Sequence, residues 1–300
     1  MKLPEALQKA LEEEVSRMSV KELASYSRDL SERYRVGKGF VEKEGHRLAY
    51  LVSRMPATFA AICKALENVD GVRSVADVGA GPGTGMWAAL TMLKGIERID
   101  LYERDKGLIA LGKKFGGNEN WHEVDLRNDF KMESADLVIL SYVVNELPSY
   151  DKLVNKLWNL ANKFLLIIEP GTPVGFERIR KIREKFLNNI IAPCTHLNAC
   201  PMQGGDWCHF AARVERTSLH RQVKEGALGH EDEKFSYILL SKEKKELSGE
   251  RIMRHPQIGK GHVSFTVCCS EGLCKRVVTK KDKERYRLSK KSAWGDVLPR

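Results

Sequence analysis

Three glycines at alternate positions, set behind a short apolar run that carries a carboxylate, constrain this chain more than any other stretch. The residues are Val75-Ala76-Asp77-Val78-Gly79-Ala80-Gly81-Pro82-Gly83-Thr84-Gly85. A helix-forming segment, Met86 to Leu93, follows. The order predicts a buried parallel strand, a tight turn and a helix N-terminus. Glycines serve where backbone takes positive φ or comes close to a ligand, and the exposed N–H groups of a helix start suit a polar or anionic one. A dinucleotide fingerprint needs a third glycine at its sixth position. Counted from Gly79 or from Gly81, that position holds Thr84 or Met86, so the match fails.

Strands and helices alternate from this turn onward. Strand 1 is expected over Ser74–Val78 and strand 2 over Arg98–Tyr102. Glu103 closes strand 2, where a carboxylate can accept both hydroxyls of a ribose. A weaker strand, Trp121–Val124, ends at Asp125. Strand 4, Ala135–Leu140, leads into Ser141-Tyr142-Val143-Val144-Asn145-Glu146-Leu147-Pro148. Strand 5, Phe164–Glu169, is almost wholly apolar, as a strand buried on both faces should be. Pro170-Gly171-Thr172-Pro173 turns the chain into a basic helix, Phe176–Asn188. Five strands with helical crossovers predict an α/β, doubly wound Rossmann-like sheet whose ligand crevice lies at the strand C-termini. The glycine turn, Glu103, Asp125 and Ser141 all fall at that edge.

Residues 1–66 read as a helical N-terminal region. Leu7, Leu11, Val15 and Met18 share a helix face, Ser19 and Glu22 offer a capping box, and Gly37 and Gly39 stop the second helix. An amphipathic piece from Phe40 to Met55 then meets Pro56, a favourable opening for a helix through Leu66. Nothing here suggests chemistry, and Cys63 reads as a core residue. The expected division is a helical region over 1–66, a Rossmann-like domain over 67–190 and 231–280, a cysteine-rich insertion over 191–230 and a basic tail over 281–300.

The acidic-x-Gly-x-Gly-x-Gly turn resembles motif I of the class I S-adenosylmethionine-dependent methyltransferases. That resemblance implies that Asp77, Gly79, Gly81 and Gly83 face the methionine end of the cofactor. It also implies that Asp125 accepts from the adenine amino group while Leu126 packs on the ring.

Charge and cysteine are both concentrated late in the chain. The formal net charge is +10, and residues 171–300 hold 26 of the 50 Lys and Arg but 15 of the 40 Asp and Glu. Localised charge of this size points to a polyanion, most simply nucleic acid. Of seven cysteines, only Cys63 precedes Cys194. No apolar run is long enough to span a membrane. The first ten residues lack a secretory h-region, and Glu12-Glu13-Glu14 argues against a transit peptide. The expectation is a cytoplasmic protein of prokaryotic type, with metal binding preferred to disulfides.

Cys194, Cys200 and Cys208 stand at intervals of six and eight, with prolines beside two of them. Zinc ribbons use close Cys-x-x-Cys knuckles, and none is present. A four-iron, four-sulfur cube (4Fe-4S) tolerates wider gaps; zinc remains the alternative. For the fourth thiolate, Val263–Cys269 alternates as a strand that turns at Ser270-Glu271-Gly272 into Leu273–Thr279. Val263, Phe265 and Val267 share a face that Cys269 continues, while Cys268 points the other way. Cys268 is therefore the chosen ligand, with Cys274 less favoured. His196 and His209 read as hydrogen-bond partners rather than ligands.

Taken together, these stretches resemble the Rsm-twenty-two family of methyltransferase-like proteins of the small ribosomal subunit, whose mitochondrial relatives take part in mitoribosome assembly. The matching residues are Asp77 to Thr84, Glu169-Pro170-Gly171-Thr172-Pro173-Val174-Gly175-Phe176, Cys194 with Cys200-Pro201-Met202, and Asp206-Trp207-Cys208-His209-Phe210. Glu231-Asp232-Glu233-Lys234-Phe235-Ser236-Tyr237 and Trp294-Gly295-Asp296 complete the set. The resemblance implies S-adenosylmethionine at the glycine turn, an iron–sulfur site on four cysteines and ribosomal RNA, with ribosomal proteins, as partners.

Whether transfer occurs stays open at this point. No Asn/Asp-Pro-Pro-aromatic motif follows strand 4, and no cysteine lies between Cys63 and Cys194, so two common base-methylation chemistries lose support. Tyr142, Asn145 and Glu146 could assist a direct transfer. The alternative is an assembly factor whose ligands only stabilise it. Arg178, Arg180, Lys181 and Arg183 on the basic helix are the expected contacts to RNA phosphate. Arg213, Arg216, Lys280, Lys281 and Arg285 would extend that surface.

Overall fold

A computed structural model describes residues 1–36 and 43–298. The helix stop expected at Gly37 and Gly39, and the start of the amphipathic piece at Phe40, lie outside the described residues.

Four helices come first: α1 (Glu5–Val15), α2 (Val20–Val36), α3 (Glu44–Ser53) and α4 (Met55–Ala65). The Ser19–Glu22 capping box forms, with Glu22 accepting from the Ser19 N–H at 3.1 Å and the Glu22 N–H donating to Ser19 Oγ at 3.3 Å. The alternating region follows as β1 (Ser74–Val78), α5 (Thr84–Met92), β2 (Arg98–Glu103), α6 (Lys106–Phe115) and β3 (Asn120–Glu123). It continues with β4 (Ala135–Ser141), α7 (Asp151–Leu160), β5 (Ala161–Pro170) and α8 (Pro173–Lys185). Helix α8 begins three residues before the expected Phe176, because Thr172 Oγ1 accepts from the Gly175 N–H and Pro173 occupies the first helical position.

After α8 the chain runs through β6 (Ile190–Ala192), β7 (Phe210–Glu215), α9 (Ser218–Val223), β8 (His230–Ser241), β9 (Arg251–Ile252), β10 (Gln257–Gly259), β11 (His262–Cys269), β12 (Gly272–Thr279) and α10 (Lys283–Ser289). The main sheet has the order β3-β2-β1-β4-β5-β8-β6, with β7 also paired to β8. Strands β1 to β5 are parallel, and β8 joins β5 antiparallel. The fold is thus an α/β mixed Rossmann-like sheet. Successive residues alternate between its two cores. Val75, Leu137, Ile139 and Leu166 face α3 and α4, whereas Ala76, Val78, Val138 and Leu165 face α7 and α8.

The expected domain boundaries shift in two places. Of 231–280, β8 joins the Rossmann sheet, whereas β9 to β12 build a separate antiparallel sheet with its own core of Ile252, Val263, Phe265, Val267 and Val278. The segment 191–230 is no detached insertion either, since β7 lies along β8 from Phe210↔Phe235 to Glu215↔His230. Alternation on β7 buries Phe210, Ala212 and Val214. Neither this strand nor its partner, remote in sequence, was among the expected elements.

Candidate functional site: a cleft and a thiol cavity joined by one strand

The cleft at the C-termini of β1, β2 and β4 has a volume of ≈ 510 Å³ and is lined by Gly79, Gly81, Glu103, Asp125, Ser141 and Glu146, among others. Gly79, Gly81 and Gly83 have φ of +73°, +57° and +84°, a region that side chains rarely enter. A Cβ at Gly79 would sit 2.3 Å from Val143 Cγ2, but one at Gly81 would meet nothing nearer than Tyr50 Oη at 3.9 Å. Gly81 therefore presents bare backbone to open space, the cradle a ligand needs. Glu103 spans the floor. Its carboxylate accepts from the Gly81 N–H at 2.9 Å and from the Arg104 and Asp105 N–H groups at 2.8 Å each.

Asp77 is placed differently from the expectation. Buried beneath α5, its carboxylate accepts from the Met86 N–H at 3.1 Å and does not line the cleft. Burial pushes its pKa up to about 7, against the pull of the Met86 and Gly85 N–H groups. A Cβ on Gly85 would lie 2.6 Å from Asp77 Oδ1, so this glycine exists for the carboxylate. Asp77 holds the helix start, and through it the turn, because a carboxylate there meets the unpaired N–H groups of the first helical turn. Gly83 and Leu126 also sit behind the cleft wall, Gly83 as the N-cap of α5 and Leu126 packed on the β4 core. Asp125 does face the cleft, paired with Arg127, whose guanidinium holds its carboxyl down at about 2.

Tyr142 and Glu146, the candidates for assisting a direct transfer, do line the cleft, and residues given no role from sequence gather around them. Tyr50 comes from α3, in the region expected to carry no chemistry, and Arg47 of the same helix forms a bidentate pair with Asp105 at 2.7 and 2.8 Å. Tyr142, with a φ of +59°, donates from its hydroxyl to Glu233 at 2.9 Å, and Arg54 pairs with Glu233 at 3.2 Å. The confinement of the cleft pushes Glu146 up to about 7, although its side chain stays 30 % exposed; Arg104 at 3.8 Å acts the other way. Beneath this loop Glu169 is fully buried. Burial pushes it up to about 8, Arg178 at 3.7 Å offsets part of that, and its oxygens face the Val144 and Asn145 N–H groups without a well-formed hydrogen bond. The visible signals were the Glu-Pro-Gly and Glu-Asp-Glu-Lys stretches, but nothing local says which residues they meet.

Cys194, Cys200, Cys208 and Cys268 line a single cavity of ≈ 40 Å³ with Phe176, Met202 and Met253. That is roughly three times the ~10–15 Å³ that one water needs. Burial raises the Cys200 thiol, lifts Cys268 to about 12 and drives Cys208 well above its ordinary value; mutual repulsion among the thiolates adds to each. His196 Nε2 lies 3.2 Å from Cys268 Sγ, and burial lowers its pKa, as expected of a hydrogen-bond partner in neutral form. His209 stacks on Trp207 instead, with ring centroids 5.3 Å apart. An open cleft of ≈ 720 Å³ reaches Cys194 and Arg251 from outside.

Arg183 corrects the expected RNA surface. It is 4 % exposed, and its guanidinium donates to Cys194 Sγ at 3.2 Å, to the His196 carbonyl at 3.2 Å and to the Asn198 carbonyl at 2.7 Å. The helical period explains this, since Phe176, Ile179, Ile182 and Arg183 share the buried face of α8. Arg216 is also inward, paired with Glu231 at 2.6 Å. Arg178 pairs with Glu169, Arg180 with Glu177 and Arg213 with Asp232. Lys181, Lys280 and Lys281 are exposed, and Arg285 is half-buried.

Strand β8 joins the two sites. Glu233 reaches the first cleft through Tyr142 and Arg54, while Ser236, three residues on, donates to the Cys208 carbonyl at 2.8 Å. Trp207 Nε1 donates to the Gly171 carbonyl at 2.9 Å, tying the cysteine loop to the turn after β5.

The motifs that meet here are those of one family, and the chain matches its profile, described as mitochondrial small ribosomal subunit Rsm22, over residues 45–299. It belongs to the Rsm22 family. The human protein named ribosome assembly protein METTL17, mitochondrial, is 26% identical over 298 residues, covering 85% of this chain and 63% of that protein. The Rsm22-cox11 tandem protein 2, mitochondrial, of Schizosaccharomyces pombe is 24% identical over 324 residues, covering 84% of this chain and 43% of that one. The chain thus spans less than two thirds of either relative. A structure from Pyrococcus horikoshii, described as a candidate RNA methyltransferase, overlaps with a TM-score of 0.40 at 15% identity, over 71% of this chain and 97% of the other. The family description and both relatives' names carry the word mitochondrial, which overturns the cytoplasmic expectation. That expectation rested on what the first residues lack, and such a lack does not specify a compartment.

Proposed function

We propose that this Rsm22-family chain is a small-ribosomal-subunit assembly protein that binds S-adenosylmethionine and an iron–sulfur cluster and docks on ribosomal RNA. One observation carries the reading: three cysteines of one loop and a fourth from β11 surround one cavity, on the same sheet as a cleft at the strand C-termini.

Cys194, Cys200, Cys208 and Cys268 would hold the cluster. A zinc ion at ~2.3 Å from each sulfur requires those sulfurs to stand ~3.8 Å apart. Among the described residues no three of these four lie mutually within 4.8 Å. The wider ring and the multi-atom cavity favour a cube over a single ion. Bound here, the cluster would supply the cross-link between the cysteine loop and β11, and loading would release the protons that burial keeps on the thiols. Arg183 supports the Cys194 sulfur with a charged donor. For the nucleoside cofactor, the Gly79–Gly81 backbone would shape the floor of the site and Glu103, at the end of β2, would accept the ribose hydroxyls, while Asp125 would accept from the adenine amino group, as the resemblance implies.

Methyl transfer to ribosomal RNA is a second reading, favoured by Glu146. Its carboxyl, raised to about 7, lies in the cleft next to Ser141 and Tyr142, where a proton acceptor would stand. Anaerobic purification with visible spectroscopy and iron analysis tests the first reading. About four irons per chain with broad visible absorbance are expected; a stoichiometric zinc would refute the cube. Labelled S-adenosylmethionine incubated with precursor small subunits separates binding from transfer. Label kept in RNA by the parent and lost in Glu146→Gln supports transfer, whereas saturable binding without incorporation leaves assembly alone.

A further inference from the structure

Three cysteines sit near the tip of the β11–β12 hairpin, and the cluster reading uses one. Cys268 faces the thiol cavity. Cys269 and Cys274 lie on the opposite face, with Sγ atoms 2.7 Å apart. In the ladder Cys269 pairs with Gly272 and Val267 with Cys274, so the two cysteines are diagonal neighbours across a two-residue turn. Cys269 is buried, Cys274 is half-buried, and the Arg276 guanidinium comes within 3.9 Å of Cys269 Sγ.

Glu271 joins these two sulfurs in a triad of ligand type, all within 4.8 Å. The sulfur separation decides against a metal. Two thiolates on one zinc stand ~3.8 Å apart, and a sulfur–sulfur bond is ~2.05 Å long. At 2.7 Å the pair is closer to the bond than to the ion.

We propose that Cys269 and Cys274 are a reversible dithiol, a site for exchange with low-molecular-weight disulfides that is separate from the cluster. Cys274, the accessible partner, attacks one sulfur of the incoming disulfide and releases the first small thiol. Cys269 then attacks Cys274 in the mixed disulfide and releases the second. Two protein thiols and one small disulfide become one protein disulfide and two small thiols, with both protons carried off on the products. The bond fastens the end of the strand that carries Cys268, and so stiffens one wall of the cavity.

The test uses the full chain, purified anaerobically with its bound groups. It is exposed to oxidised glutathione, denatured in iodoacetamide and cut with trypsin, which leaves all three cysteines in the fragment 261–275. The expected fragment carries one alkyl group, on Cys268, and is two hydrogens lighter; dithiothreitol before alkylation restores three alkyl groups. Cys274→Ser should abolish the link, and Cys268→Ser should keep it while losing the cluster absorbance, so the two readings fail independently. A glutathione that stays on Cys274, a bond to Cys268, or one zinc per chain lost in Cys274→Ser would overturn the proposal.

Discussion

The cleft at the strand C-termini and the thiol cavity sit on one scaffold but are assembled in opposite ways. The cleft is open and polar, and most of its residues come from the stretch 79–146, each placed by the turn or strand end next to it. The cavity is small and apolar, and it gathers residues from α8, the 193–208 loop, β7, β8, the 251–253 stretch and β11. A site built from local turns tolerates changes far away. A site built from several separate segments depends on each of them, because the entropy of closing long loops must be overcome by contacts at the junction.

The largest expected effect breaks that dependence. Cys208→Ser should abolish the visible absorbance and lower Tm by more than ~5 °C, since a group bound only by the folded state is lost. A variant without absorbance but with unchanged Tm would show that the cavity walls hold themselves. Next, Gly79→Ala should weaken S-adenosylmethionine binding by about 100-fold in calorimetry. It combines a positive φ with a Cβ 2.3 Å from Val143. Because the damage is local, iron content should not change; loss of iron in this variant would mean that the two sites are not separable.

Glu169 sharpens the comparison, lying under the cleft loop and beside α8. Its folded pKa is raised to about 8, above the ordinary carboxylate range. The sign is therefore that stability is fully present below pH ~4.3 and is lost as pH rises toward 8. Glu169→Gln should match the parent near pH 4.5 and exceed it by about 5 kcal/mol at pH 8, the opposing pull of Arg178 being already contained in the raised pKa. A gap that narrows with pH in denaturant titrations would refute this. The smallest effect concerns RNA. Lys181→Glu with Lys280→Glu should reduce ribosomal RNA affinity a few-fold and flatten its salt dependence by about two charges. Arg183→Leu, on the same helix as Lys181, should instead cost iron, and equal losses of RNA binding in both variants would restore Arg183 to the surface.

The cleft was legible in outline because its signals are short-range. Gly79 and Gly81 mark a turn, Glu103 and Asp125 mark strand ends, and each falls at the predicted edge. Asp77 was legible as an important acid but not in its placement, since whether it faces ligand or helix depends on the rotation of β1 against α5. Alternation separated Cys268 from Cys269 by face, and the structure puts them on opposite sides of β11. Arg183 was misread for want of one step, the phase of α8 relative to the core. Tyr50 carried no local signal at all, and the Glu231-Asp232-Glu233-Lys234 stretch did not say what Glu233 would meet.

The sequence by itself determined that a parallel α/β sheet would form around a glycine turn, and that Cys268 and Cys269 would face opposite sides of their strand. Period, turn chemistry and composition act over a few residues, so they can be read without coordinates. Only the tertiary structure decided that β9 to β12 leave the main sheet, that Arg183 turns toward the cysteines, and that β8 carries Glu233 to one site and Ser236 to the other. Those outcomes depend on which buried faces meet, a choice made by packing between segments far apart along the chain.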